Sequence, residues 1–273
     1  MNLRSSEEID SLLMTKPTSA RIAAYLRGDS SHCYGPDREA ANILMTTTPL
    51  LKEAERARRG FVIATARTFA TVTRQLIVHG YGYPSSASPN LHHVTHAVHP
   101  GMPVAYLDDD PSVTAYLHRQ FGRHRGVHTA TAAMHDLSSL PALLPGDSAD
   151  LLSDRPTGVI LTGLELIRDL NPVLAGLRKH LVAGSRLAIT HLRTDEMTFF
   201  EIGELTGIYR TAGALFTPRS SDALAAALKR AGYVLDEPGP ATLHPWEAHN
   251  SRHVLGHRLL LGVTATVPHQ IAA

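Results

Sequence analysis

No intrachain disulfide can form, because Cys33 is the only cysteine among 273 residues. No apolar run approaches the ~20 residues that a membrane-spanning helix needs, so no membrane association is expected. Neither sign of charge dominates. Lys plus Arg number 26 against 25 Asp plus Glu, a formal net charge of +1, which is unlike the concentrated basic face of a nucleic-acid binder. The opening "MNLRSSEEIDSLL" carries acids where a secretory leader has basic and then apolar residues, and a cytoplasmic location is expected. Internal repeats, low-complexity tracts, a G-x-S-x-G elbow, a Walker loop and an H-E-x-x-H motif are all missing, so the chemistries they announce lack support.

What the chain does have is apolar residues (43%) and an unusual 17 histidines. The length suits one large domain or a domain with a small appendage. Residues 1–74 read as an N-terminal helical cap and residues 75–273 as the core. "TSARIAAYLR" is a capped amphipathic helix, "PDREAANILM" starts a second at Pro36, and a third covers residues 50–72 with a possible break at Gly60. The acids and bases interleaved in "EAERARRG" (residues 53–60) read as a solvated helix face.

After residue 74 the rhythm changes. Short β-branched runs at residues 75–79, 103–108, 127–132, 157–163 and 185–192 alternate with helical patterns at 91–98, 111–121, 171–182 and 196–212. That alternation predicts a parallel sheet with helices on both faces. "SSDALAAALKRAGYVLDEP" then reads as helix and strand, and "RHVLGHRLLLGVTATV" as one long strand or two joined at Gly256, closing an antiparallel hairpin around Trp246. The whole is a seven-stranded, Rossmann-like α/β arrangement with an antiparallel last strand, as in class I methyltransferases.

In such a sheet ligands bind beyond the carboxyl ends of the strands. There stand Gly80 and Gly82 after the first strand, Asp108 after the second, Asp136 after the third, Glu165 after the fourth and His191 in the fifth. The two glycines let a backbone turn tightly against a ligand, and an acid ending the second strand suits a ribose diol. Pro84 and Pro89 delay the next helix to about Asn90, which fits adenosine with a non-phosphate tail better than a dinucleotide. Asp109 and Asp110 read as helix-capping residues. His79, Glu165 and His191 are the candidate acid/base or substrate-orienting groups. Cys33 beside His32 reads as an ordinary cysteine. His92, His96 and His99 share a helical face, but without a complementary ligand set no metal is expected there.

Several segments in order resemble the actinobacterial S-adenosylmethionine-dependent methyltransferase family once described only as a domain of unknown function. They include "PTSARIAAYLRGD", "YGPDREAA", "GYPSSASPNLHHV", "VAYLDDDPSV", "DRPTGVILTGL", "LVAGSRLAITHL", "TPRSSDALAAAL" and the Pro-Trp of "LHPWEAH". The resemblance implies that Gly80 and Gly82 form the cofactor loop, Asp108 holds the ribose, and Asp136 lies near the adenine. It places Tyr34, Asp37 and Arg38 in a segment covering the pocket, and Arg219 in the matching "TPRS". It also marks departures. An acid ending the first strand in relatives is Val78 here, and their His-Phe after the fourth strand is Glu165-Leu166.

The function expected is therefore methyl transfer from S-adenosylmethionine, its binding weakened by the missing acid, to a small-molecule acceptor in specialised metabolism. The alternatives are a non-methylating cyclase or isomerase on the same fold, or a non-catalytic ligand-binding protein. The oligomeric state is left open by the sequence.

Overall fold

The computed structural model describes residues 15–84, 89–143, 155–243 and 256–269. Three helices come first: α1 (Ser19–Arg27), α2 (Gly35–Thr47) and α3 (Leu51–Val72). There follow β1 (Gln75–His79), α4 (Leu91–Val98), β2 (Val104–Asp108), α5 (Pro111–Phe121), β3 (Val127–Thr131), α6 (Leu140–Leu143) and β4 (Thr157–Leu161). The chain continues through α7 (Asn171–Arg178), β5 (Arg186–Leu192), α8 (Phe199–Thr211), α9 (Ser221–Arg230), β6 (Val234–Leu235), β7 (Ala241–Thr242) and β8 (Leu260–Thr266).

The local sequence explains most of these boundaries. Thr18 caps α1 by accepting the Arg21 N–H, and Gly28 ends it in the left-handed region at φ 97°. Asp110 accepts the Ser112 N–H ahead of Pro111, so α5 starts with a cap and a pre-set φ. Thr198 and Glu201 form a reciprocal capping box at the start of α8. Gly60 does not interrupt α3, which runs unbroken for 22 residues. Its burial along one stripe outweighs the propensity cost of one glycine.

The strand order is β3-β2-β1-β4-β5-β8-β6, with β7 also paired to β8. β1 to β5 are mutually parallel, and β8 runs antiparallel to β5 from Arg186↔Thr266 to Leu192↔Leu260. The edge is finer than expected. β6 pairs with β8 at Val234↔Thr266 and β7 with it at Ala241↔Gly262, so one flank of β8 is shared by two short strands. The sequence-predicted hairpin loop around Trp246 lies outside the described residues.

Side chains alternate across β1. Ile77 joins an apolar cluster with Leu107, Val159, Leu161, Val173 and Leu224. Leu76 and Val78 face the opposite cluster, with Val62, Phe69, Tyr106 and Ile160. A third cluster joins α1, α2, α3 and α8 to the start of β8 through Ile22, Leu44, Leu51, Leu205 and Leu260. The N-terminal helices are thus packed onto the sheet and roof its carboxyl edge. Arg21 and Asp37 clamp α1 to α2 at 2.7 Å, and Asp37 also accepts the backbone N–H groups of Thr18 and Tyr34.

Candidate active site

The order β2-β1-β4 reverses the direction of winding between β1 and β4, so the loops leaving those two strands part and open a crevice. A cavity lies there. Its sheet side is made by His79, Gly80, Tyr81 and Gly82 after β1, Asp108 and Asp109 after β2, Met134 after β3, and Thr162, Gly163 and Glu165 to Ile167 after β4. Its helical side is made by Ser19, Ala23 and Arg27 of α1, Glu55, Arg58, Arg59 and Val62 of α3, and Tyr209 of α8.

Backbone geometry sets the floor. Gly80 has φ 77° and Gly82 φ 68°. A Cβ on Gly80 would lie 2.7 Å from Thr162 Oγ1 and 2.8 Å from the Thr162 carbonyl oxygen, so only glycine fits. Thr162 in turn donates its hydroxyl to the Gly80 carbonyl at 2.5 Å, fastening the β1 loop to the β4 loop.

Asp108 is buried beside this turn. Its Oδ2 accepts the Gly82 N–H and its Oδ1 the Asp110 N–H, both at 3.1 Å. Burial pushes its carboxyl up to about 7 even though those two hydrogen bonds favour the anion. His79 is also buried. Its Nε2 lies 2.8 Å from the Ala132 carbonyl and must donate to it, which leaves Nδ1 as a bare acceptor with no hydrogen-bond partner. Burial holds this imidazole below the usual range, and the ring is neutral near pH 7.

The opposite wall is a buried chain of charges. Arg58 donates to Glu165 Oε1 at 2.6 Å and lies 3.2 Å from Glu55 Oε1. Arg27 Nη1 approaches Glu55 Oε2 to 3.6 Å. Burial alone would raise Glu165, but Arg58 and His191 outweigh it and keep the acid below its ordinary value. Its Oε2 makes no hydrogen bond and lies 3.6 Å from His191 Nδ1. Arg59 lies over the Tyr81 ring at 4.1 Å, and the Tyr81 hydroxyl donates to Asn90 Oδ1. These bulky loop residues are folded against the helices, so the crevice stays open.

The whole-chain comparison agrees with this geometry. The model of the S-adenosyl methyltransferase family matches residues 4–268. The chain belongs to that family. It is a methyltransferase by family and by fold, and S-adenosylmethionine is the family's cofactor. A crystal structure of a DUF574 family protein from Streptomyces avermitilis superposes with TM-score 0.81 at 26% identity, covering 93% of this chain and 99% of that one. A candidate methyltransferase from Thermobifida fusca superposes with TM-score 0.82 at 22% identity, over 97% and 100% of the two chains. No curated protein matches the chain.

The residues present fit the cofactor: a glycine floor where a Cβ would collide, an acid on the cavity wall, and a bare imidazole nitrogen without a partner. Of the site residues expected from the sequence, Gly80, Gly82, Asp108, His79 and Glu165 all reach the cavity wall. Four others do not. His191 is fully buried behind Glu165, its Nε2 accepting the Arg219 N–H at 2.9 Å, and burial holds it down to about 4. Its Nδ1 makes no hydrogen bond and lies 3.6 Å from Glu165 Oε2, and the ring does not line the cavity. Asp136 is half-buried and caps its own turn by accepting the Ala133 N–H. Tyr34 and Arg38 are exposed at the start of α2, away from the cavity. Val78 is fully buried in the apolar cluster under the N-terminal helices and also does not line it.

Two bland readings also change. Asp110 caps α5 as expected, but Asp109 lines the cavity. "EAERARRG" is not a solvated face, because Glu55 and Arg58 are buried and Arg59 lines the cavity; only Arg56 among its arginines is exposed. The signal was available in the spacing. Leu51, Ala54, Glu55, Arg58, Val62 and Phe69 fall on the single stripe that α3 buries. Tyr209, Thr162 and Arg27 were missed as well, since nothing local marks them. Cys33 is inert as expected: its thiol donates to the Arg21 carbonyl, and burial pushes it up to about 11.

Arg219 has a supporting task. Its guanidinium donates to the carbonyls of Leu164, Thr217, Ile167 and Arg168, and the Thr217 N–H bonds the Glu165 carbonyl. Together these fix the turn that presents Glu165.

Proposed function

We propose that the protein methylates a small polar acceptor whose nucleophilic O–H or N–H is oriented by Glu165. The observation that carries this reading is the pairing of walls. Gly80, Gly82 and Asp108 offer a nucleoside site on one side, and the buried carboxylate of Glu165 lines the cavity on the other. The cofactor would supply an electrophilic methyl group on a sulfonium.

The protein's own part is positioning. Asp108 has lone pairs left over after its two backbone hydrogen bonds, enough to accept from a ribose diol. Gly80 and Gly82 allow close approach to the backbone, and His79 Nδ1 is an acceptor beneath it. Arg58 holds Glu165 in place and ionised, so its carboxylate can accept a hydrogen bond from the acceptor and align it for in-line attack. Because Arg58 also lowers the basicity of Glu165, orientation contributes more than full proton removal. The helical wall has three arginines, Arg27, Arg58 and Arg59, against Glu55. The roof of α1, α3 and α8 favours an enclosed small molecule over a polymer.

The test is methyl transfer from label-bearing S-adenosylmethionine to a panel of small hydroxy and amino compounds, with Glu165→Gln in parallel. The expected result is turnover of at least one acceptor that falls ~100-fold or more in the variant while cofactor affinity stays within about twofold. Equal turnover by Glu165→Gln would remove Glu165 from this role. Cofactor binding without turnover of any small acceptor, together with transfer to a macromolecule, would overturn the acceptor class.

A further inference from the structure

The fold brings together three imidazoles that the helical spacing of the sequence did not pair. We infer that His92 and His93 of α4, with His124 from the turn after α5, form a binding site for a borderline transition-metal dication such as Zn²⁺. It lies apart from the cavity, since none of the three lines it.

The geometry carries the inference. Each of the three offers a ring nitrogen, and these atoms lie within 4.8 Å of one another. Ligand nitrogens in a tetrahedral zinc site are about 3.3 Å apart, from a Zn–N distance of ~2.05 Å. The gap closes by rotamer adjustment of His93 and His124, both of which are exposed. The rings are already close, with the His92 centroid 4.1 Å from His93 and 4.9 Å from His124.

His92 is the anchor. It is 1% exposed, and its Nδ1 lies 2.9 Å from the Tyr106 hydroxyl, which also accepts the His92 backbone N–H. Its Nε2 has no hydrogen-bond partner. A buried polar nitrogen left alone is costly, and a cation is the partner that the two neighbouring imidazoles can help to hold. In the metal-bound tautomer Nδ1–H donates to the Tyr106 oxygen, the outer hydrogen bond that orients a ligating histidine. An all-nitrogen set selects zinc, nickel or copper(II) over magnesium or calcium. His96 and His99 are not members; His96 Nε2 is engaged with the Met102 carbonyl at 2.9 Å.

The site would tie α4 to the α5–β3 turn. α4 begins where the loop of Gly80 and Gly82 ends, and the Tyr106 ring beside His92 packs edge-on against Tyr81 on the cavity wall at 5.1 Å.

The experiment is calorimetric titration of tag-free, chelator-stripped protein with Zn²⁺ alone. One ion per chain is expected, at micromolar affinity or tighter. His124→Ala and His93→Ala, both at exposed positions, should each weaken binding at least tenfold, while the remote, exposed His135→Ala leaves it unchanged. Co²⁺ in place of Zn²⁺ should give a visible absorption band that His124→Ala abolishes. No saturable binding by millimolar Zn²⁺ would overturn the inference. So would equal affinity in His124→Ala and wild type, which would assign any binding to the other histidines.

Discussion

Asp108 is the residue on which the cofactor reading can be tried most sharply, because its burial makes nucleoside binding a function of pH. In the ligand-free protein its carboxyl is pushed up to about 7. A ribose diol donates hydrogen bonds and so binds the anion, drawing that value down. Between pH 6 and pH 8 the ionised fraction rises from one part in 1 + 10 to one part in 1 + 0.1. Affinity should therefore rise by about 11/1.1, or tenfold, with release of up to one proton. Burial also holds His79 below its usual range. The ligand should be adenosine or methylthioadenosine, which do not titrate there, measured calorimetrically in two buffers of different ionisation enthalpy. Asp108→Asn should flatten the pH profile and weaken binding at pH 8 by roughly 2–4 kcal/mol, about 30- to 1000-fold. The same shift has a sign for stability. A carboxyl whose folded value is raised stabilises below its unfolded value near 3.8, and that contribution is lost as pH rises through about 7. Asp108→Asn should thus melt no lower than wild type at pH 8. An affinity flat within twofold from pH 6 to pH 8, or unchanged in the variant, would refute the argument.

Three further changes probe the walls. Arg58→Met leaves Glu165 buried without its cation and should cost about 3–5 kcal/mol in urea unfolding; a cost under ~1 kcal/mol would mean that the pair is not desolvated. Gly80→Ala forces a Cβ against Thr162 at positive φ and should cost about 1–3 kcal/mol while lowering cofactor affinity, read by thermal melting and calorimetry. Val78→Asp puts a carboxylate into an apolar cluster rather than the cavity, and should lower stability by about 3 kcal/mol without tightening cofactor binding; tighter binding in that variant would restore the family-based reading of position 78.

The α/β core could be read from the chain because its signals are local. β1, α4 and α5 fall at their expected residues, since Asn90, Pro111 and the β-branched run before Gly80 act within a few positions. The carboxyl-terminal edge was harder. β6 and β7 are two-residue strands whose existence depends on β8 lying between them and β5, a long-range pairing that leaves no periodicity in so short a segment.

The site divides in the same way. Strand ends place Gly80, Gly82, Asp108 and Glu165 at the crevice, because a parallel sheet sends all its carboxyl termini to one edge. Whether a side chain there faces ligand or core depends on the pleat. Val78 and His79 are neighbours with opposite directions: Val78 turns toward α3 with Leu76, and His79 turns toward the cavity with the parity of Ile77. Losing an acid at position 78 and gaining an imidazole at 79 are therefore not exchanges at one spot. The first change lets an apolar cluster close beneath α3, and the second sets a neutral acceptor into the cavity floor. Charge enters instead from Glu55 and Arg58 on the buried stripe of α3, which meets Glu165 from 107 residues away in sequence. Sequence distance hid that pair, and the desolvation of α3 made it: acids and bases placed on a helix's apolar stripe are tolerated only when they find one another.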